Sequence, residues 1–349
     1  MNKIAHPNRA ITLWLFGTCL LIWLMIMLGG ATRLTHSGLS IVEWKPIVGI
    51  IPPLTQEAWL QEFAKYQQFP EYQLVNQGMT LSEFKFIFFM EYAHRLLGRL
   101  MGLFFFLPLI WFWVKGQLSL GMKKMSLIVA LIGMAQGFMG WYMVKSGLVK
   151  DPSVSHYRLT AHLMLALVLF ATLFFAGLRH VYPHEKQIRG IRSTPVMLTH
   201  FSALAIMITI TYGGFVAGLK AGKMYNTYPL MGGDFIPYEW NHLTPVWLNF
   251  FENAATVQWT HRTLAILTMT LVLLAMTGLV RSDFGKSVKD AAKLMIVGVV
   301  FQVILGIVTL LHEVPVSLGT LHQGVAVIVL ALILNVIFNI HRRPYNHQS

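Results

Sequence analysis

Residues 91–95 read Glu-Tyr-Ala-His-Arg and lie inside an apolar run, residues 86–114, that is long enough to cross a membrane. Ionisable side chains are costly within a membrane helix, so such a cluster indicates a functional site. Glu91 and His94 are three residues apart and therefore share one face of the helix. The pattern returns at residues 258–262 as Gln-Trp-Thr-His-Arg, with glutamine in place of glutamate. Two related clusters are therefore expected within the membrane.

The composition indicates a membrane protein with many spans. The 349 residues are 55% hydrophobic and 12% charged, whereas about 25% of the residues of a soluble domain are charged. Eight apolar runs are long enough to span a bilayer, which takes about 20 residues. They cover residues 11–31, 86–113, 125–145, 157–178, 197–218, 256–280, 292–311 and 318–340. The predicted class is an all-α polytopic membrane protein with eight transmembrane helices.

The distribution of charge predicts how the chain is oriented. The net charge is +13, but lysine and arginine concentrate in short connections between apolar runs, which does not indicate nucleic-acid binding. Connections 114–124, 179–196 and 281–291 are basic, as are both termini. The positive-inside rule therefore predicts cytoplasmic termini and places the long connections 32–85 and 219–255 on the outer side. No presequence rich in arginine and serine is present, so a bacterial inner membrane is predicted.

The eight runs form an internal repeat of four spans each, and the two halves are residues 1–180 and 181–349. The matching positions are Gly29-Gly30 with Gly213-Gly214, His94 with His261, Gln136 and Gly140 with Gln302 and Gly306, and His162 with His322. Four spans per repeat keep both halves in the same orientation. The repeat predicts two tandem four-helix bundles related by a pseudo-twofold axis along the membrane normal.

The two long outer loops are rich in tryptophan, tyrosine, proline and glycine. Aromatic residues of this kind favour the membrane–water interface. Each loop directly precedes a histidine-bearing span. The loops are expected either to rest on the bilayer surface or to form lids over sites just below them.

Each half carries two histidines near the outer ends of its even-numbered spans: His94 and His162 in the first half, His261 and His322 in the second. A lone histidine in a helix is more simply a core residue, but four at matched positions favour ligation. Two imidazoles facing each other across a helix bundle are a recurring way to hold a haem iron. Zinc would need three or four ligands, and the thiolates that copper(I) favours are missing apart from Cys19.

Small and basic residues near the histidines allow two interpretations each. Gly98, Gly102 and Gly319 provide space either for a flat macrocycle or for close packing between helices. Arginines at the outer level either pair with haem propionates or contact lipid headgroups. These arginines are Arg33, Arg95, Arg99, Arg158 and Arg262.

The difference between Glu91 and Gln258 indicates that the two halves have different roles. Glutamate exchanges a proton or stabilises a cation, and glutamine does neither. If one half performs chemistry and the other only moves electrons, the first half is therefore the candidate for chemistry. The alternative is that Glu91 only pairs with Arg95, four residues further along the same helix.

Longer stretches accompany the first cluster. They are residues 29–35 (Gly-Gly-Ala-Thr-Arg-Leu-Thr), 37–41 (Ser-Gly-Leu-Ser-Ile), 44–46 (Trp-Lys-Pro), 52–54 (Pro-Pro-Leu), 82–85 (Ser-Glu-Phe-Lys) and 98–99 (Gly-Arg). Together with the four histidines and eight spans, they make the chain resemble the haem A synthase family over its whole length. The signature in the first outer loop is far more specific than the histidines alone.

This resemblance implies oxidation of the C8 methyl group of haem O to a formyl group, giving haem A for cytochrome oxidase. It implies a haem b cofactor in the second half, with His261 and His322 as axial ligands to the iron and Arg262 beside them. The substrate haem is implied to lie in the first half. The residues implied to bind it are His94 and His162, facing the iron, with Arg95 and Arg99. Glu91 matches the catalytic glutamate of the family.

Some bacterial members of this family carry a cysteine pair in the first outer loop. Cys19 is the single cysteine of this chain, so it forms no intramolecular disulfide and a dithiol relay is excluded here. The resemblance is therefore to the proteobacterial or mitochondrial-type branch. The pathway implies contact with the farnesyltransferase that makes haem O (haem O synthase) and with an electron donor that the sequence does not identify. Membrane lipid is a further expected partner, and a homo-oligomer is compatible with the sequence.

Two other functions compete with haem modification. One is a bis-histidine, b-type membrane cytochrome that passes electrons, for instance from quinol. The other is a haem carrier or assembly factor that performs no chemistry. Glu91 favours the modifying enzyme, because an electron carrier has little use for a carboxylate in one half alone.

Overall fold

The computed structural model describes residues 7–43, 48–147, 154–182 and 193–342. Residues 44–46, which contribute to the family resemblance, lie outside them. Within the described residues the chain forms eleven α-helices and no β-strand. In chain order they are α1 (Arg9–Leu34), α2 (Gln56–Tyr66), α3 (Pro70–Leu74), α4 (Leu81–Val114), α5 (Leu120–Gly147), α6 (His156–Val181), α7 (Thr194–Gly218), α8 (Asn249–Glu252), α9 (Ala254–Arg281), α10 (Lys286–Leu311) and α11 (Val316–Ile340).

Eight of these helices are long and apolar enough to cross a membrane: α1, α4, α5, α6, α7, α9, α10 and α11. This confirms the predicted class of an all-α polytopic membrane protein. Several helices extend beyond the predicted apolar runs, because they continue into flanking polar residues. For example, α5 begins before Lys123 and Lys124, and α10 begins at Lys286. The side of the two long loops is called the outer side below.

The first outer loop packs on an extension of α4. A capping box between Thr80 and Glu83 starts this helix well before its apolar run. Its first turns then form a small aromatic core with α2, in which the rings of Phe63 and Phe84 lie 4.9 Å apart and those of Trp59 and Phe88 also 4.9 Å apart. Burying such rings fixes the loop over the outer end of α4.

The spanning helices of the two halves differ in how they pack. In the second half, α7 packs on α9, α9 on α10, α10 on α11, and α11 on α7, so that contacts close into a ring. Among the described residues of the first half, the main contacts between spanning helices run from α4 to α1, from α1 to α6 and from α6 to α5. Packing also joins the halves, between α1 and α11 and between α6 and α7. The division into two separate four-helix bundles stays a prediction.

The paired glycines at the outer ends of α1 and α7 make the contacts between the halves close. A Cβ atom on Gly30 would lie 2.2 Å from Oε1 of Gln323 on α11. A Cβ atom on Gly214 would lie 2.6 Å from Oγ1 of Thr160 on α6. Matching positions of the repeat thus occupy matching places in the contacts between the halves, where small residues let helix backbones approach each other.

Candidate functional site

All four predicted histidines pack against a glycine of the preceding spanning helix. A Cβ atom would lie 3.1 Å from His94 Nε2 if built on Gly29, and 3.1 Å from His162 Cε1 if built on Gly140. In the second half it would lie 3.2 Å from His261 Cε1 if built on Gly213, and 2.8 Å from His322 Cε1 if built on Gly306. Side chains other than glycine would therefore displace these rings. Each odd-numbered span provides the space that the histidine of the next span needs.

The structure brings the histidines together in pairs. His94 and His162 lie close enough to interact electrostatically, and so do His261 and His322. Each pair belongs to one half of the chain. Among the described residues, no group of three or more His, Cys, Asp or Glu side chains comes together as a metal site.

The second-half pair fits axial ligation of a haem. His261 Nδ1 lies 3.1 Å from the carbonyl oxygen of Thr209. Because a carbonyl only accepts, Nδ1 carries the proton and Nε2 keeps the lone pair that a metal needs. On the opposite helix, Nδ1 of His322 is buried and has no hydrogen-bond partner among the described residues. The residues present therefore fit a haem in this half.

The first-half pair has a different arrangement. His162 Nε2 lies 3.3 Å from the amide nitrogen of Gln136 on α5, and His94 turns its Nε2 toward Gly29. Gln302, at the position matching Gln136, instead donates to the carbonyl of His322 at 3.1 Å. The two halves thus share the histidine–glycine packing but not the hydrogen bonds of the histidine nitrogens.

Two of the three glycines that the sequence placed near the histidines have other neighbours. A Cβ on Gly98 would meet Cε of Met25 at 3.1 Å, and one on Gly319 would meet Cδ1 of Leu34 at 2.7 Å. Both contacts are with α1, so these two glycines serve packing between helices. At Gly102 no described heavy atom lies within 4 Å, and the space is open.

Glu91 is buried and its carboxylate is fully hydrogen-bonded. Oε1 accepts from Arg95 Nε at 3.0 Å and Nη2 at 2.6 Å, so the pairing considered from the sequence is present. Oε2 accepts from the Ser40 hydroxyl and the Ile41 backbone N–H, both at 2.8 Å. The first outer loop therefore binds directly to this carboxylate, which favours a lid over a loop that only rests on the bilayer surface.

Gln258, at the matching position, donates a hydrogen bond to its outer loop, whereas Glu91 accepts hydrogen bonds from the first loop. Its amide nitrogen donates to the carbonyl of Tyr225 at 3.0 Å. Its Oε1 is buried without a hydrogen-bond partner among the described residues. A glutamate in place of Gln258 would bring its negative carboxylate against the Tyr225 carbonyl oxygen, and both groups are acceptors. Glutamate therefore suits the first outer loop, and glutamine suits the second.

Arg95 and Arg262 directly follow the first histidine of each half. Each of them donates to two backbone carbonyls of the preceding outer loop. Arg95 donates to Ile41 at 2.9 Å and to Glu43 at 3.2 Å. Arg262 donates to Tyr225 at 2.6 Å and to Thr227 at 2.8 Å. In the structure these guanidinium forks contact backbone carbonyls two residues apart. The pairing of Arg95 and Arg262 with haem propionates or lipid headgroups stays a prediction.

The other outer arginines lie in different surroundings. Arg33 donates to the carbonyl of Gly218 at 3.1 Å and so links α1 to α7 across the halves. Arg158 stacks over the ring of Tyr142, 4.6 Å from its centroid. Arg99 lies one turn below Arg95 on α4. Pairing of these side chains with propionates stays a prediction.

A second buried carboxylate, Glu71 on α3, was not expected from the sequence. Burial raises the pKa of Glu71 to about 7; a hydrogen bond from Tyr66 opposes this, and the negative charge of Glu91 adds to it. Lys220 and Arg33 are close enough to lower the pKa of Glu71 slightly. The sequence carries no signal for this burial, since Glu71 stands in a loop that mixes polar and apolar residues without a regular pattern.

These features define a multi-pass membrane protein in which two matched histidine pairs are suited to haem. A family model described as cytochrome oxidase assembly protein matches residues 12–334. A haem A synthase of Rhodospirillum centenum is 45% identical over 336 residues, which cover 95% of this chain and 89% of the relative. One of Nitrosospira multiformis is 45% identical over 343 residues, with 96% and 95% covered. One of the Wolbachia of Brugia malayi is 45% identical over 318 residues, with 90% and 92% covered.

The chain belongs to this family of cytochrome oxidase assembly proteins, which includes the haem A synthases. The match reaches all eight spans and includes both histidine pairs. The family resemblance seen in the sequence is therefore confirmed.

Proposed function

We propose that the protein is a haem A synthase, a haem-dependent membrane oxidoreductase that converts haem O to haem A. The conversion turns the C8 methyl group into a formyl group. One observation carries the proposal beyond family membership. Matched histidine–glycine pairs occur in both halves, and a buried glutamate accompanies only the first. The second half is thereby suited to hold a haem cofactor, and the first half to act on a haem substrate.

The second half is the half that would hold a resident haem b. His261 and His322 would bind its iron, and the Thr209 carbonyl keeps Nε2 of His261 available for this. A haem held between two imidazoles supplies one-electron redox chemistry. Gly213 and Gly306 position the two rings, and Arg262 fixes the loop above them.

The first half binds the substrate haem between His94 and His162, with Arg95 and Arg99 at the outer level. Glu91 is the catalytic group, because it is the ionisable side chain on the face of α4 that carries His94. Its carboxylate is held by Ser40, and the Arg95 guanidinium balances its charge. The first outer loop keeps water away from this carboxylate by packing over it.

The protein acts in a bacterial inner membrane with both termini in the cytoplasm, as the distribution of basic residues supports. Both histidine pairs then lie toward the outer face. Its expected partners are the farnesyltransferase that makes haem O and an electron donor.

The function is tested by expressing the chain in cells that make haem O and contain no other haem A synthase. Extracted haems are identified by mass, and haem A or its hydroxymethyl precursor is the expected product. Haem b bound to the purified protein with haem O left unchanged would refute the proposal and indicate an electron carrier.

A further inference from the structure

The first half is open between two spanning helices where the second half is closed. In the second half, α9 packs along α10 and completes the ring of contacts. The matching helices of the first half are α4 and α5, both described over their full length. They are joined by residues 115–119 and do not pack against each other to a comparable extent. A gap between α4 and α5 therefore faces the bilayer.

This gap leads to the first histidine pair. One wall is α4, which carries His94, and the other is α5, whose Gly140 and Gln136 contact His162. The outer end of the gap thus lies at the level of both imidazoles.

The walls of the gap are apolar and have open space. No described heavy atom lies within 4 Å of a Cβ built on Gly102 of α4 or on Gly133 and Gly137 of α5. Gly133 lies two turns inward from Gly140 on the same face of α5, a distance of about 10 Å. Residues 100–114 and 125–144 contain no charged side chain.

The difference between the halves is the one expected if one half retains a cofactor and the other exchanges a substrate. A resident cofactor stays bound, and a closed ring of helices retains it. A substrate must enter and its product must leave, which requires a route. Haem O carries a long isoprenoid tail that haem b lacks, and such a tail partitions into apolar surroundings.

We propose that the gap between α4 and α5 is the lateral opening of the substrate site and takes the isoprenoid tail of the haem substrate. This inference rests on the proposed function. The tail lies inward from the histidine pair, along the faces of α4 and α5 that carry Gly102 and Gly133. A lipid acyl chain or a helix of a partner protein are the other possible occupants, and the experiment separates them.

The test fills the gap and compares haems with and without the tail. Gly133→Leu and Gly102→Leu place a branched side chain in either wall. Gly121→Leu is the matched control, because its surroundings are also open but it lies near the inner end of α5, about 120° around the helix from Gly133. Each full-length protein is purified in lipid nanodiscs with its second-half haem in place, and haem O and haem b are titrated spectroscopically into the remaining site.

Wild-type protein and Gly121→Leu should bind haem O at least about tenfold more tightly than haem b. Either gap variant should bring this ratio close to one by weakening haem O binding alone. An unchanged ratio in both gap variants would overturn the proposal and leave the gap to lipid or a partner helix. Equal weakening of both haems would also overturn it, since the substitution would then have damaged the haem site itself.

Two controls keep this result separate from the proposed function. The absorption of the second-half haem shows whether each variant has folded. Conversion of haem O by wild-type protein is measured in the same preparation. A wild-type protein that makes no haem A contradicts the proposed function, whereas an unchanged ratio beside normal conversion contradicts only the assignment of the gap.

Discussion

Glu91 and Gln258 show how one position in a repeat serves two loops. The Glu91 carboxylate accepts from the loop at Ser40 and Ile41, whereas the Gln258 amide donates to the loop at Tyr225. Loop anchoring alone therefore accounts for part of the difference between glutamate and glutamine at this position. A chemical role for Glu91 requires an effect on turnover that loss of loop anchoring does not reproduce.

Glu91→Gln separates these roles when it is compared with Ser40→Ala. Glutamine keeps the size of the side chain but loses the charge, so haem A formation should fall at least about 100-fold while haem b stays bound. Ser40→Ala removes one hydrogen bond to Glu91 and leaves the carboxylate, so turnover should fall less than about tenfold. Turnover is measured as haem A formed per bound haem b. Equal losses in the two variants would assign Glu91 to loop anchoring.

Gly306→Ala tests the packing of glycine against histidine. The added methyl group would lie 2.8 Å from His322 Cε1, so the ring must move. Overpacking of this kind typically costs about 1–3 kcal/mol. The purified variant should retain less haem b, and its low-spin electron paramagnetic resonance signal should shift.

Gly298→Ala on the same helix is the matched control for Gly306→Ala. Its methyl group would meet Leu332, a flexible side chain away from the histidines, so the haem signal should stay unchanged. A normal haem content and signal in Gly306→Ala would contradict a positioning role for this glycine.

At the scale of elements, the first outer loop combines an aromatic core with a buried carboxylate. Tyr66 donates to Glu71 at 3.2 Å and accepts from Asn76 at 2.7 Å. The pKa of Glu71 is raised from 4.5 to about 7 by burial. The folded loop therefore binds a proton more tightly than the unfolded loop. Its stability is highest below the unfolded pKa and falls as the pH rises toward 7.

Glu71→Gln should stabilise the loop in a way that depends on pH. Glutamine has no charge to bury, so its advantage should grow between about pH 4.5 and pH 7 and then level off near 3 kcal/mol. Thermal unfolding of both proteins across this range measures the difference. Glu57→Gln, at an exposed position on α2, is the control and should show a smaller difference. A difference that does not vary with pH would contradict the burial cost.

The sequence predicted the spanning helices better than the loops, for a physical reason. Long apolar runs decide helices locally, so all eight spans were found, and only their polar ends were missed. Loop contacts such as that of Phe63 with Phe84 join residues far apart in the sequence. The local pattern of apolar residues does not predict such contacts. The repeat identified the histidine pairs, but Thr209 acts through its backbone carbonyl, which no side chain reveals. Guanidinium groups bind propionates and carbonyls alike, so the arginine contacts were not decided by the sequence.

At the scale of the whole molecule, each pair of adjacent glycines has two tasks. Gly29 and Gly213 contact a histidine of their own half. Gly30 and Gly214, one residue later, contact a side chain of the other half. The positions of the His94 and His261 rings are therefore linked to the fit between the halves. Duplication explains why the same two-residue motif performs both tasks twice.

Gly218→Ala tests how strongly the halves depend on each other. A Cβ atom there would lie 2.3 Å from Cβ and 2.5 Å from Cα of His156, so the start of α6 must move away from α7. The carbonyl of Gly218 also accepts from Arg33 of α1, and this bond would be disturbed. Because the clash involves backbone, the free energy of unfolding should fall by about 3 kcal/mol, at the upper end for overpacking.

Gly121→Ala is the control for Gly218→Ala, since its surroundings are open and alanine favours a helix. Thermal unfolding in detergent measures both variants, and hydrogen exchange locates the change. Faster exchange should appear at the outer ends of both α6 and α7, because the clash acts on their contact. Exchange confined to α7 would show that the two halves are stable without this contact.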